Sequence, residues 1–279
     1  MIAKFHYFSV QNLKVASVQI NATSNKDSNL RRILSKIEEA SGKEADLIVF
    51  PEYSMFYPLR KDLLENLSEP INGPFVNAVR DAAKSYNINV IVSINERSEM
   101  DERRIYDTSI LISNRGCILS VYRKTHLFDA FNIKESSIII PGESLSKPVK
   151  IGDFNIGMLI CYDVRFPENA RTLAVEGCNL LCVSSAWFSG ILKEVHLLTM
   201  LRARAIENGL YVVMANQTQP CFCGRSVIID PFGVIVADAG EMEDHIIYAD
   251  LSLQRVLNVR RLLPQLEQRR PELYYNLVK

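Results

Sequence analysis

Apolar and polar positions along the chain fall into short alternating blocks. Mostly apolar runs recur at LKVASVQI (13–20), ADLIVF (45–50), INVIVSI (88–94), YDTSILI (106–112) and CILSVY (117–122). The second half continues with FNIGMLI (154–160), NLLCVSS (179–185), GLYVVMAN (209–216), SVIID (226–230), GVIVAD (233–238) and HIIYAD (245–250). Runs of this length, rich in β-branched residues, predict strands. Helices are predicted between several of them. In DSNLRRILSKIEEA (27–40), Leu30, Ile33, Leu34 and Ile37 share one stripe, with Asp27 or Ser28 as the cap. PINGPFVNAVRDAAKSY (70–86) and HLLTMLRARAIEN (196–208) repeat that period.

Strand–helix alternation predicts an α/β fold, and the helix-free strands from 88 to 122 predict antiparallel hairpins. ADLIVF and GLYVVMAN are apolar on both faces, as central strands of a covered sheet are. Two sheets face to face with helices outside use all these elements, and a plain doubly wound sheet is the simpler alternative. No Ser/Gly linker or low-complexity stretch marks a boundary, so residues 1–279 read as one domain.

The 279 residues are 48 % hydrophobic and carry no formal net charge. That is ample material for a core, and no field draws nucleic acid or an anionic membrane. The start, MIAKFHYFSVQNLK, lacks the apolar core of a signal peptide. No run reaches the roughly 18 apolar residues of a membrane span. Six cysteines in so long a chain are no disulfide framework. They predict reduced thiols and a cytoplasmic protein. Cys117, Cys178 and Cys182 read as buried filler. Cys221-Phe222-Cys223 has no second ligand pair, so neither metal nor cofactor is assigned.

Three apolar runs end abruptly on reactive groups. LIVF stops at Pro51 and Glu52, VY at Arg123-Lys124, and GMLI at Cys161. Ligands of open α/β sheets bind at the carboxyl ends of strands. A carboxylate, an ammonium and a thiol there are the parts of acyl transfer: base, oxyanion partner and nucleophile. Each alone has a plainer reading: Cys161 as a small hydrophobe, Glu52 as a helix-start carboxylate, Lys124 as a solvated charge. Pro167 and Glu168 suit the first turn of a helix, FPENARTLAVEG. Cys161 therefore lies on a tight strand-to-helix connection, where backbone N–H groups can face a carbonyl oxygen.

PEYS, YRKTHLFD and ICYDVRFPE, in that order, resemble the nitrilase superfamily of carbon–nitrogen hydrolases, closest to its Nit-type amidase branch of omega-amidases and deaminated-glutathione amidases. VASVQINAT, LRARAIENGLYVVMANQ, CGRSVIIDPFGVIVAD and VRRLLPQLEQRRPELY carry the resemblance over nearly the whole chain. It implies a four-layer α-β-β-α sandwich and a Cys nucleophile that cleaves a small linear amide or N-carbamoyl compound. Glu52 would be the base, Lys124 the oxyanion partner and Cys161 the nucleophile. Glu135, in FNIKESSIIIPGES, would orient Lys124, with Glu143 as the alternative. Tyr162 and Trp187 would face substrate, Trp187 reading equally well as core. Arg165 and Glu168 would brace the elbow as a buried ion pair. Specificity would lie in loops 53–60, 126–140 and 187–195. His196 stands where relatives read His-Trp, but Leu197 replaces that tryptophan, which weakens transfer of substrate preference. The same residues suit a true nitrilase, and a non-catalytic interaction module is the reading from another class. Residues 254–279, mixing Leu and Tyr with arginines, would bury poorly on their own domain and cross to a partner subunit in a homodimer or higher homo-oligomer.

Overall fold

The computed structural model describes residues 12–274 apart from 102 and 219. MIAKFHYFSVQ at the start and YNLVK at the end lie outside the described residues. One sheet contains β1 (Asn12–Gln19), β2 (Leu47–Val49), β3 (Asn89–Arg97), β4 (Ile105–Ile112), β5 (Ile118–Arg123) and β14 (His245–Ser252), ordered β14-β1-β2-β3-β4-β5. A small hairpin, β6 (Asp129–Ala130) and β7 (Ile133–Lys134), follows β5. The second sheet contains β8 (Val149–Ile151), β9 (Phe154–Ile160), β10 (Leu180–Ser185), β11 (Tyr211–Asn216), β12 (Val227–Ile229) and β13 (Ile235–Asp238), ordered β13-β12-β11-β10-β9-β8.

The strands pair in parallel at the centres of the sheets, β1-β2-β3 and β9-β10-β11. They include β2 and β11, the strands of ADLIVF and GLYVVMAN, apolar on both faces. The hairpins expected from 88 to 122 are β3-β4-β5, all antiparallel. Helices α1 (Lys26–Gly42) and α3 (Pro74–Ser85) cover the first sheet; α4 (Pro167–Val175) and α5 (Lys193–Asn208) cover the second. Alternation along the strands makes the layers. Val15, Leu47, Val49 and Ile91 pack in one cluster with Met158, Ile160 and Val213 of the opposite sheet. Their neighbours Ala16, Ile48, Val90 and Val92 pack with Ile33 and Ile37 of α1 and with Val76 and Val79 of α3. Each fully buried aliphatic side chain contributes roughly 1.5–3 kcal/mol. The architecture is a four-layer α-β-β-α sandwich, not a single doubly wound sheet.

Local details differ from the sequence reading. Helix α1 begins earlier than expected because the Asn25 side chain caps it, accepting from the Ser28 N–H at 2.9 Å. Cys117 is exposed rather than core: it closes the β4–β5 turn, its N–H donating to Ser113 Oγ at 3.1 Å. Cys178 and Cys182 are buried. Short α2 (Lys61–Leu67) and α6 (Leu253–Leu262) were not expected, nor was the single turn α7 (Pro271–Tyr274). The tail does not bury poorly throughout: Val256 and Val259 are inaccessible, and Arg260 donates to the carbonyls of Gly209 and Cys178 at 3.0 and 2.6 Å. Beyond it, Leu262, Leu263, Leu273 and Tyr274 are exposed. Among the described residues no helix is long and apolar enough to cross a membrane.

Candidate active site

The segments that follow β2, β5 and β9 converge on one cavity of about 390 Å³. Glu52, Lys124, Glu135, Cys161, Tyr162 and Trp187 all line it. So do residues from each of the three loops named above: Tyr57 and Leu59, Phe128 and Ile133, Phe188 and Lys193. Glu143 is exposed and outside the lining.

The centre is a buried ion cluster. Lys124 Nζ donates to Glu52 Oε1 at 2.7 Å and to Glu135 Oε1 at 2.8 Å, and lies 3.7 Å from Asp107 Oδ2. Burial alone would lower the lysine's pKa, but Glu135 and Glu52 outweigh it, and the ammonium is held well above its usual range. Glu52 is fixed on its other side by the Ala186 N–H at 2.6 Å, and its own carbonyl accepts from Gln217 Nε2 at 2.8 Å. Glu135 also accepts from the Tyr53 hydroxyl and the Phe128 N–H, both at 2.6 Å. Lys124 is positioned from behind as well. Gly142 of the PGES segment sits where a Cβ would lie 2.3 Å from the Arg123 carbonyl, and its N–H donates to the Lys124 carbonyl at 2.8 Å. Only glycine allows that approach. Glu52, Asp107 and Glu135 resemble a metal-binding set. The lysine ammonium already stands among them, where a cation would sit.

Cys161 follows β9 with φ +44°, a left-handed conformation costly for a residue with a Cβ. The chain then turns through a 3-10 segment, Cys161–Arg165, into α4, with Pro167 at its start and Glu168 in its first turn. Asp163 anchors this elbow: Oδ2 accepts from Tyr122 OH at 2.7 Å and the Ile160 N–H at 3.1 Å, and Oδ1 from the His126 N–H at 3.0 Å. The thiol and lysine segments are thereby tied together. Burial first, and the Glu52 charge second, push the Cys161 thiol well above its usual pKa, against the opposing pull of Lys124. At neutral pH the resting group is therefore a thiol, which needs a base.

The expected Arg165–Glu168 ion pair is not formed. Glu168 is exposed in the first turn of α4, where a carboxylate complements the helix dipole. Arg165 instead lies over the Trp187 ring, 4.5 Å from its centroid, and lines the cavity with Lys193. Among the described residues no carboxylate pairs with either cation. Burial, and then the nearby Arg165, lower the pKa of Lys193. Trp187 is buried, 4 % exposed, yet presents its ring to the cavity, so it is both core and wall. Tyr162 packs edge-on against Phe128, centroids 5.1 Å apart. Tyr53, Asp107 and His126 were missed in the sequence, as was the anchoring part of Asp163. Tyr53, His126 and Asp163 each had a signal, their places in the PEYS, YRKTHLFD and ICYDVRFPE stretches; Asp107 had none.

Residues 14–261 match the family model described as carbon-nitrogen hydrolase. The deaminated glutathione amidase of Homo sapiens is 34 % identical over 278 residues, covering 94 % of this chain and 84 % of that protein. The NitFhit fusion protein of Drosophila melanogaster is 32 % identical over 281 residues; they cover 96 % of this chain but only 60 % of that longer protein. Among solved structures, a glutamate-to-glutamine mutant of the amidase from Nesterenkonia sp. AN1 superposes with a TM-score of 0.83 at 25 % identity, covering 96 % of this chain and 97 % of that one. It shows covalent addition of the acetamide moiety of fluoroacetamide at that protein's active site cysteine. The chain belongs to the carbon–nitrogen hydrolase family of the nitrilase superfamily.

Proposed function

We propose that the chain hydrolyses a small linear amide whose far end is anionic, releasing ammonia through a thioester on Cys161. The observation that carries this is the buried Glu52–Lys124–Glu135 cluster beside the strained cysteine in one cavity. Glu52 takes the thiol proton as sulfur attacks the carbonyl carbon, and the carbonyl electron pair moves to oxygen. Lys124 and backbone N–H groups of the elbow hold that oxyanion; a compact ammonium suits a point charge. When the C–N bond breaks, Glu52 returns the proton to nitrogen and ammonia leaves. A water then gives its proton to Glu52 and attacks the thioester, and the departing thiolate is reprotonated. Glu135 holds Lys124 in place, and Tyr53 and Phe128 hold Glu135.

Arg165 and Lys193 supply the substrate preference. Two cations without carboxylate partners among the described residues, beside aromatic walls, fit a short carbon chain ending in carboxylate. A primary amide bearing a terminal carboxylate is expected to be cleaved with kcat/KM about 10- to 100-fold above its methyl ester, the range of a partly buried charge-assisted hydrogen bond. Ammonia release from both compounds, with matched nitriles and N-carbamoyl analogues, checks this. Equal rates for acid and ester contradict the anionic end; release from the nitriles alone contradicts the amide.

The assembly is proposed to be a homodimer. Leu262, Leu263, Leu273 and Tyr274 of the tail are exposed, as are Val175 of α4 and Ile206 of α5. The tail reaches α5, where Gln265 donates to the Ile206 carbonyl. An apolar surface of this kind is best covered by a second copy. Light scattering at micromolar concentration is expected to give twice the chain mass; the mass of one chain contradicts the dimer.

A further inference from the structure

Three buried carboxyl groups crowd one ammonium. Carboxylate oxygens of Glu52, Asp107 and Glu135 lie within 4.8 Å of one another. Among the described residues Lys124 is the cation facing all three, 2.7 Å from Glu52, 2.8 Å from Glu135 and 3.7 Å from Asp107. If every carboxyl were ionised, two negative charges would remain uncompensated away from water. One proton or more must therefore stay in the cluster.

The hydrogen bonds decide where. Glu52 is met by Lys124 and the Ala186 N–H, and Glu135 by Lys124, Tyr53 OH and the Phe128 N–H. Asp107 accepts one neutral bond, from Ser93 Oγ at 3.2 Å. Its Oδ2 is fully buried with no hydrogen-bond partner among the described residues, and the lysine stands off at 3.7 Å. Directly opposite on β3 is Asn95, which is neutral and whose amide is itself unpaired. Asp107 is thus faced by Glu52 after β2, by Lys124 after β5, by Glu135 after β7, by the Tyr53 hydroxyl, and by Ser93 and Asn95 of β3. Of the three carboxyls it is the one least supported as an anion.

We propose that Asp107 is held as a neutral carboxylic acid, a positioning residue that leaves Lys124 to Glu52, Glu135 and the substrate's oxygen. This rests on the reading of Lys124 as oxyanion partner. A carboxylate oxygen of Glu52 lies within 4.8 Å of an Asp107 oxygen, close enough for its charge to disfavour a second anion there. Burial, and then the charge of Glu52, favour the protonated form. Ionised, Asp107 would draw Lys124 into a third ion pair and add a negative charge to the cluster beside the thiol.

Asp107→Asn imitates the neutral acid, which fixes the sign of a stability test. A carboxyl whose folded pKa is raised loses stability as pH climbs above about 4, the unfolded value. The melting temperature of the variant relative to wild type is expected to grow over that range and to lead by at least about 2 °C at neutral pH. An ionised Asp107 paired with Lys124 gives the opposite: a variant less stable at neutral pH, whose deficit is kept down to about pH 4 and shrinks only below it. Infrared spectra of wild-type protein carrying ¹³C-carboxyl aspartate need no variant. A protonated carboxyl band at neutral pH is expected, and its absence overturns the proposal. These two readouts stand even if the amide reading fails. The pH profile of kcat/KM then tests the positioning role. Its alkaline fall is expected to move to higher pH in Asp107→Asn, and an unmoved profile overturns that role.

Discussion

Cys161→Ala is expected to lower turnover by at least about 10⁴-fold, to the level of a no-enzyme control, while the protein stays folded. Loss of a nucleophile removes the covalent route altogether, and its partners cannot replace it. The packing cost is small, because only the sulfur is deleted from a position already half-open to the cavity. Alanine keeps the Cβ, so the left-handed backbone at φ +44° is neither relieved nor worsened. Thermal unfolding within a few degrees of wild type, together with ammonia release indistinguishable from buffer, is the expected pair of results. Turnover by the folded variant contradicts the assignment of Cys161.

Glu52→Gln is expected to lower kcat by about 10²–10⁴-fold, the usual range for a lost general base. Its effect on the resting thiol runs the other way. After burial, the Glu52 charge is the largest influence holding the Cys161 thiol above its ordinary pKa, and Lys124 opposes it. Removing that charge, while Lys124 keeps its own, lowers the thiol pKa. The pH midpoint of iodoacetamide alkylation is expected to move down in Glu52→Gln even though turnover collapses. Glu135→Gln leaves the Glu52 charge in place, so its midpoint should move less, with the larger effect falling on KM. A midpoint that rises in Glu52→Gln would mean that the glutamate promotes the thiolate at rest and does not carry its proton during attack.

The legible parts of the molecule were those written in contiguous residues. ADLIVF and GLYVVMAN are apolar on both faces and became β2 and β11, each inside a sheet. Pro51, Lys124 and Cys161 stand out because each breaks an apolar run, and the structure brings Glu52, Lys124 and Cys161 to one cavity. What stayed hidden depends on partners distant in sequence. Tyr53 meets Glu135 across 82 positions, and Asp163 meets Tyr122 across 41. Asp107, inside the strand run YDTSILI, carries no local mark of the ammonium it faces. The Arg165–Glu168 pair was expected from the resemblance of the RFPE stretch, which carries no information on what surrounds either side chain. The cavity offers Arg165 an aromatic face instead, and the helix start leaves Glu168 in water. The tail misled for a related reason. Its mix of Leu and Tyr with arginines suggested an arm that buries poorly on its own domain, yet Arg260 donates to the Gly209 and Cys178 carbonyls, and Val256 and Val259 are buried.

The central claim is a thioester on Cys161, and intact-mass spectrometry of acid-quenched enzyme tests it most directly. Mixed with a short primary amide carrying a terminal carboxylate, the protein is expected to gain the substrate mass less ammonia. Peptide mapping is expected to place that adduct on the segment containing Cys161, and Cys161→Ala to lack it. Ammonia released with no covalent species at any quench time, or an adduct mapped to Cys221 or Cys223, would contradict the account.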